Sequence, residues 1–413
     1  MIEPKGSAGQ KTVYLHIGLH KTGTTFLQNV LRANSAALVE QGIIYPGRNI
    51  ESQKLAVWDL FGRRPKGAPD GRINGQWNVL VDEINSSELP VGLISEEYLS
   101  LATARQAGRA VASFPDAEVH VVVTARDLGR VLLSAWQEEV KNDATWTWSE
   151  FVDAVHDPTA RAKNPARGFW LRQDLVAITE TWGALIPAER IHIVTLPPQG
   201  SPAGLLLERF AAVVRITPAA LTEKPPWNNE TVGPAATEVL RRLNELLGHK
   251  LNQRQYRRVV KTVIAPAMAR RLGSPKFGLP PENNAWVAAR AAEIVGSLEK
   301  RDYSVVGDLA ELLPVGSGDG RRPDDATSEE LLEASMVALT ELVEVHAKAW
   351  WHERRPDTKV DASSTGRVVG AARGLGFRAR RRAAEAADKN RVAARMMGFY
   401  LDRRAKGRRS PGR

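Results

Sequence analysis

The 413-residue chain contains no cysteine, which excludes disulfides, thiolate nucleophiles and every Cys-based zinc or iron–sulfur site. The absence leaves the compartment open, because a chain without thiols survives in either redox environment. No apolar run approaches the ~18 residues of a membrane-crossing helix, so an integral membrane protein is excluded. The opening MIEPKGSAGQKTVYLHIG lacks a basic patch followed by an apolar stretch and a small-residue cleavage site, and no secretory signal is expected. A surplus of one charge is also missing from most of the chain. Residues 367–413 hold thirteen Arg and two Lys against Glu385, Asp388 and Asp402, a net +12, so the preceding 366 residues carry a net −2 of the chain's +10. The basic character therefore describes a tail, and global charge gives no reason to expect the folded part to bind nucleic acid.

What is present suffices for a packed core. Apolar residues make up 43% and charged residues 25%, an ordinary globular balance that excludes a wholly disordered chain. At roughly 150 residues per domain the length allows two or three domains, or one elaborated α/β domain. Up to about residue 215, strand-like runs alternate with helical spacing. Lys11–Ile17, Val91–Ser95, Glu118–Ala125 and Arg190–Leu196 read as buried strands, and Thr24–Asn34, Leu128–Lys141 and Ala203–Val214 as helices. That alternation predicts an α/β fold, a parallel sheet with helices on both faces. Beyond 215 no strand of comparable strength is expected, and Val232–Leu247, Gln255–Leu272, Trp286–Lys300 and Ser328–Trp351 read as amphipathic helices. The expected division is a core at 1–215, a mainly helical extension at 216–355, and a linker with a basic tail at 356–413.

The most informative stretch is Val13–Gln28, VYLHIGLHKTGTTFLQ, in which a buried strand runs through Gly18, Lys21, Thr22, Gly23, Thr24 and Thr25 into a helix. Such a turn points free backbone N–H groups outward at the positive end of a helix dipole. Glycine lets backbone approach an anion closely, the threonines add hydroxyl donors, and Lys21 adds a mobile charge. The bland alternative is a Gly/Thr-rich turn that only caps a helix. The pattern is not GxxxxGK[ST], because Lys21 precedes Gly23. The strand Val91–Ser95 runs into Glu96 and Glu97 instead of an Asp, which argues against a nucleoside triphosphate held with Mg²⁺.

Lys-Thr-Gly-Thr-Thr after a strand closely resembles the 5′-phosphosulfate loop of sulfotransferases. That resemblance implies a P-loop-like three-layer fold and the donor 3′-phosphoadenosine 5′-phosphosulfate (PAPS), with adenosine 3′,5′-bisphosphate as product. The family's second motif, an Arg at a strand end and a Ser eight residues on, is matched by Arg126 and Ser134 in VVVTARDLGRVLLSAWQEEVK. The resemblance assigns this pair to the 3′-phosphate; an Arg126–Asp127 cap with Ser134 as a packing residue is the structural alternative. The likeness to bacterial sulfotransferase-family proteins extends over residues 12–315, including Trp136-Gln137, Lys141, Phe169–Leu175 and Arg190–Pro198. It departs from the cytosolic eukaryotic branch in lacking an RKGxxGxWK-type covering loop, for which Lys224–Val232 is the stand-in.

Sulfuryl transfer to a hydroxyl needs a proton acceptor. Ser95-Glu96-Glu97 matches the family's Ser-Ser-Glu-like triplet, which makes Glu97 the first candidate base and Glu96 the second. The alternative is that both acids simply open a helix. His20, beside Lys21 in the loop, is the third candidate, whereas His16 reads as a satisfied core histidine. No metal is required and no metal-ligand cluster is visible. By resemblance, Arg172, Gln173 and Asp174 line an acceptor pocket. Trp136, Trp146, Trp148, Trp170 and Trp182 suit either a core or the face of an acceptor. The tail, with Phe377, Val392, Met396, Phe399 and Tyr400 among its basic residues, reads as solvated, as lying on an anionic membrane, or as a nonspecific nucleic-acid contact. No specific nucleic acid is expected. The expected partner is a hydroxylated small molecule or glycan, and the expected location is the cytoplasm or the inner face of its membrane. The rival readings are a P-loop kinase and a nucleotide-binding scaffold without catalysis.

Overall fold

The computed structural model describes residues 10–63, 73–224, 232–248, 250–272, 278–314, 322–323 and 325–353. The covering segment at 225–231, the linker at 357–366 and the basic tail at 367–413 lie outside the described residues. The chain divides into two units, 1–338 and 339–413. The sheet and the candidate site belong to the first. The described part of the second, 339–353, is helical.

Six strands form one parallel sheet: β1 (Lys11–His16), β2 (Ile43–Ile44), β3 (Val91–Ser95), β4 (Ala117–Ala125), β5 (Ile191–Thr195) and β6 (Ser304–Val306), in the order β2-β3-β1-β4-β5-β6. Tyr14 of β1 stands opposite Leu93 of β3 and His120 of β4. Alternate side chains go to opposite faces of a strand, and both faces are covered. On one face Val13, Leu15, Val121, Val123 and Ile193 pack with residues such as Val57, Leu80, Ile178 and Leu298 from helices Ile50–Leu60, Gln76–Asn85, Leu175–Gly183 and Pro281–Leu298. On the other, Tyr14, Leu93, Val122 and Val194 pack with Leu27 and Leu31 of helix Thr24–Ala33 and with Phe210 and Val214 of helix Leu205–Val214. Burial on both faces is why these strands are nearly continuous apolar runs. The result is the three-layer α/β architecture the alternation predicted.

The region after 215 is mainly helical: Pro234–Leu247, Gln253–Leu272 with a π-helical stretch at Arg257–Ile264, Pro281–Leu298 and Ser328–Glu353. One expectation is corrected here, because this region also supplies β6, paired with β5 from Ser304 to Val306. Three residues are too few for any periodicity to register, and this strand exists through its register with β5.

Candidate functional site

Strand order reverses around β1, which lies between β3 and β4. In open parallel sheets the crevice at the carboxyl ends of such strands is where ligands bind. The segments leaving β1, β3 and β4 bring Gly18–Thr25, Glu96–Glu97 and Arg126–Asp127 to this place.

The loop after β1 is tied down from below. Thr22 is buried, and its hydroxyl bonds the Leu19 carbonyl at 2.5 Å and the Thr124 hydroxyl of β4 at 2.6 Å. The Leu19 N–H donates to the Thr124 carbonyl at 2.9 Å. The Thr22 side chain is therefore an anchor of the loop. Gly23 stands before the helix Thr24–Ala33 at φ +83°, where a side chain would be strained, and a Cβ there would come within 2.5 Å of Leu206 Cδ2 and force that side chain to move. Gly18, at φ +108°, lets Glu97 approach, since its own Cβ would lie 3.2 Å from Glu97 Cβ. The first intrahelical bond runs from Leu27 N–H to the Gly23 carbonyl. The N–H groups of Thr24, Thr25 and Phe26 precede it, and no side chain caps this end of the helix. A row of outward N–H groups at a positive dipole end is an anion cradle.

Arg126, at the end of β4, directs Nη1 to the Lys21 carbonyl at 3.4 Å, while its Nε is buried without a partner. Burial and neighbouring Arg130 lower its pKa to about 10, so it stays charged at neutral pH. Arg130 is occupied: its Nε bonds Asp127, and its backbone N–H donates to Asp127 Oδ1 at 2.9 Å. The helix cap expected as the alternative is thus built by Asp127 with Arg130, which leaves Arg126 out of it. Ser134 is half-buried, and its hydroxyl back-bonds to the Arg130 carbonyl at 2.9 Å. To donate to a ligand it must release that bond.

The three candidate bases differ sharply. Glu96 is 5% exposed and caps the short turn Glu97–Leu101 by accepting from the Tyr98 N–H at 3.4 Å. Burial and the adjacent Glu97 push its pKa up to about 8, so it is a neutral acid at pH 7. Glu97 lies against Gly18, and its Oε2 accepts from Gln28 Nε2 at 2.8 Å, from the loop's own helix. Both ring nitrogens of His20 are buried without a partner. Its pKa falls to about 3 through burial and the nearby charges of Arg172 and Lys21, so the ring is neutral and weakly basic. His16 is fully buried, bonded to Ser95 Oγ at 2.7 Å and Thr124 Oγ1 at 3.3 Å, the satisfied core histidine expected of a buried strand.

Several residues at the mouth carried no sequence signal. Glu138, one turn beyond Ser134, meets Lys21 at 3.4 Å, Lys141 at 3.2 Å and Lys261 at 3.1 Å. The Tyr98 ring lies 5.1 Å from His20, edge-on, and 5.1 Å from Trp58, with the Lys54 ammonium 5.4 Å above it. The Trp58 Nε1 is buried without a partner. Gln173 is buried and donates to the His20 carbonyl at 2.8 Å, while Arg172 pairs with Glu139 at 3.4 Å. Asp174 caps the helix Leu175–Gly183 through the Ala177 N–H. Trp136, Trp148, Trp170 and Trp182 are buried in the core, and Trp146 is half-buried, so the tryptophan cluster chiefly packs. Among the described residues, no group of three His, Asp or Glu is arranged to hold a metal, and no helix is long and apolar enough to cross a membrane.

No protein-family model matches the sequence, and no curated protein matches it. Among solved structures, a sulfotransferase from Alicyclobacillus acidocaldarius is similar at 13% identity and a TM-score of 0.36, over 53% of this chain and 87% of that one. Likeness of that size carries no argument about activity, so the functional reading stands on the site's own chemistry.

Proposed function

We propose that this chain is a sulfotransferase that moves a sulfuryl group from PAPS to a hydroxyl of a carbohydrate, glycolipid or small metabolite. The observation that carries the reading is the contact of Arg126 with the Lys21 carbonyl. It joins two motifs 105 residues apart into one cationic mouth, with the Arg126 Nε buried and unpartnered. A buried charged donor without a partner is costly unless a ligand completes it. A donor with an anionic group at each end of its ribose suits a cradle that has N–H groups on one side and a guanidinium on the other.

The donor supplies an activated sulfuryl group, and the chain's residues do the rest. Backbone N–H groups of Thr24 and Thr25 hold the 5′-phosphate, and Arg126 holds the 3′-phosphate with help from the Ser134 hydroxyl. Glu97, oriented by Gln28, takes the acceptor's proton. The acceptor oxygen then bonds to sulfur as the bond from sulfur to the bridging oxygen breaks. Lys21 neutralises the charge that grows on that leaving oxygen. Glu96, already protonated below about pH 8, and His20, with a pKa of about 3, are the weaker bases. Tyr98, Trp58 and neutral His20 offer aromatic faces to the body of an acceptor.

Calorimetric titration of wild type and Arg126→Ala with adenosine 3′,5′-bisphosphate and with ADP tests the reading. The substitution should weaken the bisphosphate by about 1.5–3 kcal/mol, the scale of a charged hydrogen bond, and hardly touch ADP. Tighter binding of ADP with Mg²⁺ than of the bisphosphate would replace this reading with the kinase.

A further inference from the structure

One carboxylate in the mouth is shared by three ammonium groups, one from its own helix and two from distant parts of the chain. Lys21 of the loop and Lys141 meet Glu138 Oε2 at 3.4 and 3.2 Å, and Lys261 of the helical extension meets Oε1 at 3.1 Å. All four side chains are partly shielded, with between 21% and 34% of each exposed. One negative charge among three positive ones leaves a local surplus of two. Lys261 is held further by Asn142 Oδ1 at 2.6 Å, and it lies in the π-helical stretch Arg257–Ile264. Such stretches are rare and concentrate at functional sites. Burial alone would raise the Glu138 pKa, but Lys21, Lys141 and Lys261 outweigh it and hold the group well below the usual carboxylate range. The carboxylate is thus charged throughout the physiological range, and it engages the same lysine that a ligand oxygen at the loop would need.

We propose that Glu138 is a built-in competitor for the ligand's anion: it occupies Lys21 and Lys261 until a phosphate or sulfonate oxygen takes its place, and so sets the anion affinity of the loop. Lys261 then becomes a ligand contact delivered by the helical extension. This rests on the anion-binding half of the reading above and is independent of the chemistry that follows binding. The physics predicts an unusual sign. Removing a fixed negative charge a few ångströms from the ligand should tighten binding, whereas removing a side chain that merely props the site should loosen it.

The test titrates the full-length chain with inorganic pyrophosphate and, separately, adenosine 3′,5′-bisphosphate, at low and moderate salt. Glu138→Gln should bind both anions roughly tenfold more tightly, with a steeper loss on adding salt. Lys261→Met should bind both several-fold more weakly. Glu138→Gln combined with Lys261→Met restores the local charge and should return close to wild type. Unchanged or weaker binding by Glu138→Gln overturns the proposal, as does a wild type that binds neither anion. If Glu138→Gln fails to fold, Lys261→Met decides, and unchanged affinity in that variant is the overturning result. A wild type that binds pyrophosphate without favouring the bisphosphate over ADP defeats the PAPS reading and leaves the Glu138 proposal to the variants.

Discussion

The sheet carries a cluster of ionisable groups toward each end of its strands, and the two behave in opposite ways. Toward the amino ends, His120 of β4 bonds His192 of β5 at 2.8 Å and Glu118 at 2.9 Å, and Arg190 closes on Glu118 at 3.1 Å. The two imidazoles stack with centroids 5.1 Å apart, and the Tyr14 ring lies 5.1 Å from His120. This cluster satisfies itself. At the carboxyl ends, His20, Trp58 and Arg126 keep buried donors or acceptors without partners, and Lys21, Lys141 and Lys261 outnumber the carboxylate they share. A crowd of titratable residues is therefore no mark of function by itself. What separates the ends is unspent hydrogen-bonding capacity and unbalanced charge, both of which cost free energy unless a ligand uses them.

The comparison is most exposed at the base. Glu97→Gln should lower the rate of donor consumption by about 10²–10⁴-fold, the range for loss of a general base, with bisphosphate affinity unchanged. Glu96→Gln should cost far less at pH 7, because that acid is already protonated there. Equal losses in the two variants would remove the distinction between the acids, and a larger loss in Glu96→Gln would reverse the assignment. Next is the anion cradle, where Lys21→Met should reduce the rate by about 10²–10³-fold. His192→Asn, in the self-satisfied cluster, should leave rate and affinity within about twofold, since it touches no unspent donor. A large loss in His192→Asn would erase the distinction between the ends.

Stability against pH sharpens the contrast. Burial depresses His16 to about 3, and burial with the His120 charge depresses His192 to about 4. An unfolded chain takes up these protons near pH 6.5 while the folded one refuses them, so stability should fall as pH drops below about 6.5. For fully buried His16 the slope approaches 1.4 kcal/mol per pH unit, and partial exposure makes that of His192 shallower. Glu96 has the opposite sign. Its folded pKa of about 8 exceeds the unfolded value of 4.5, so the folded state keeps a proton that the unfolded chain has lost. Between about pH 4.5 and 6.5 this contribution opposes that of the histidines, and from about pH 6.5 to 8 it stands alone, so stability should fall there as pH rises, by at most about 1.4 kcal/mol per unit. Urea midpoints across pH 4–9 measure both, and Glu96→Gln should flatten the limb above about pH 6.5 and steepen the fall below it. A modest effect is expected at Ser134, whose hydroxyl is committed to its own helix. Ser134→Ala should weaken the bisphosphate by less than about 1 kcal/mol in the same calorimetric titration.

Much of the frame was legible because its signals are local. The run EVHVVVTA became the central strand β4, and the helix expected at Leu128–Lys141 spans those residues. The glycine and threonine spacing after β1 did become a tight turn opening a helix. The helices Ile50–Leu60, Gln76–Asn85 and Ala104–Ala112, by contrast, went unread in the sequence, as did β6. Of these, Ala104–Ala112 begins with a capping box from Thr103 to Gln106, a local signal that was available. The short β6 offered none.

By itself the sequence determined the parallel sheet, through strands apolar enough to be buried on both faces, and the tight loop after β1, through glycines at positions where a side chain would be strained. It also carried the pairing of Lys21 with Arg126 as two motifs in one order along the chain. Tertiary structure decided how differently the two acids are held. Two adjacent glutamates are nearly identical as letters, and burial made Glu96 a neutral cap while contact with Gly18 and Gln28 kept Glu97 at the loop. The meeting of Lys261 with Lys21 on Glu138 was likewise invisible in the chain, because charge balance at a point depends on distances that hundreds of intervening residues must fold to set.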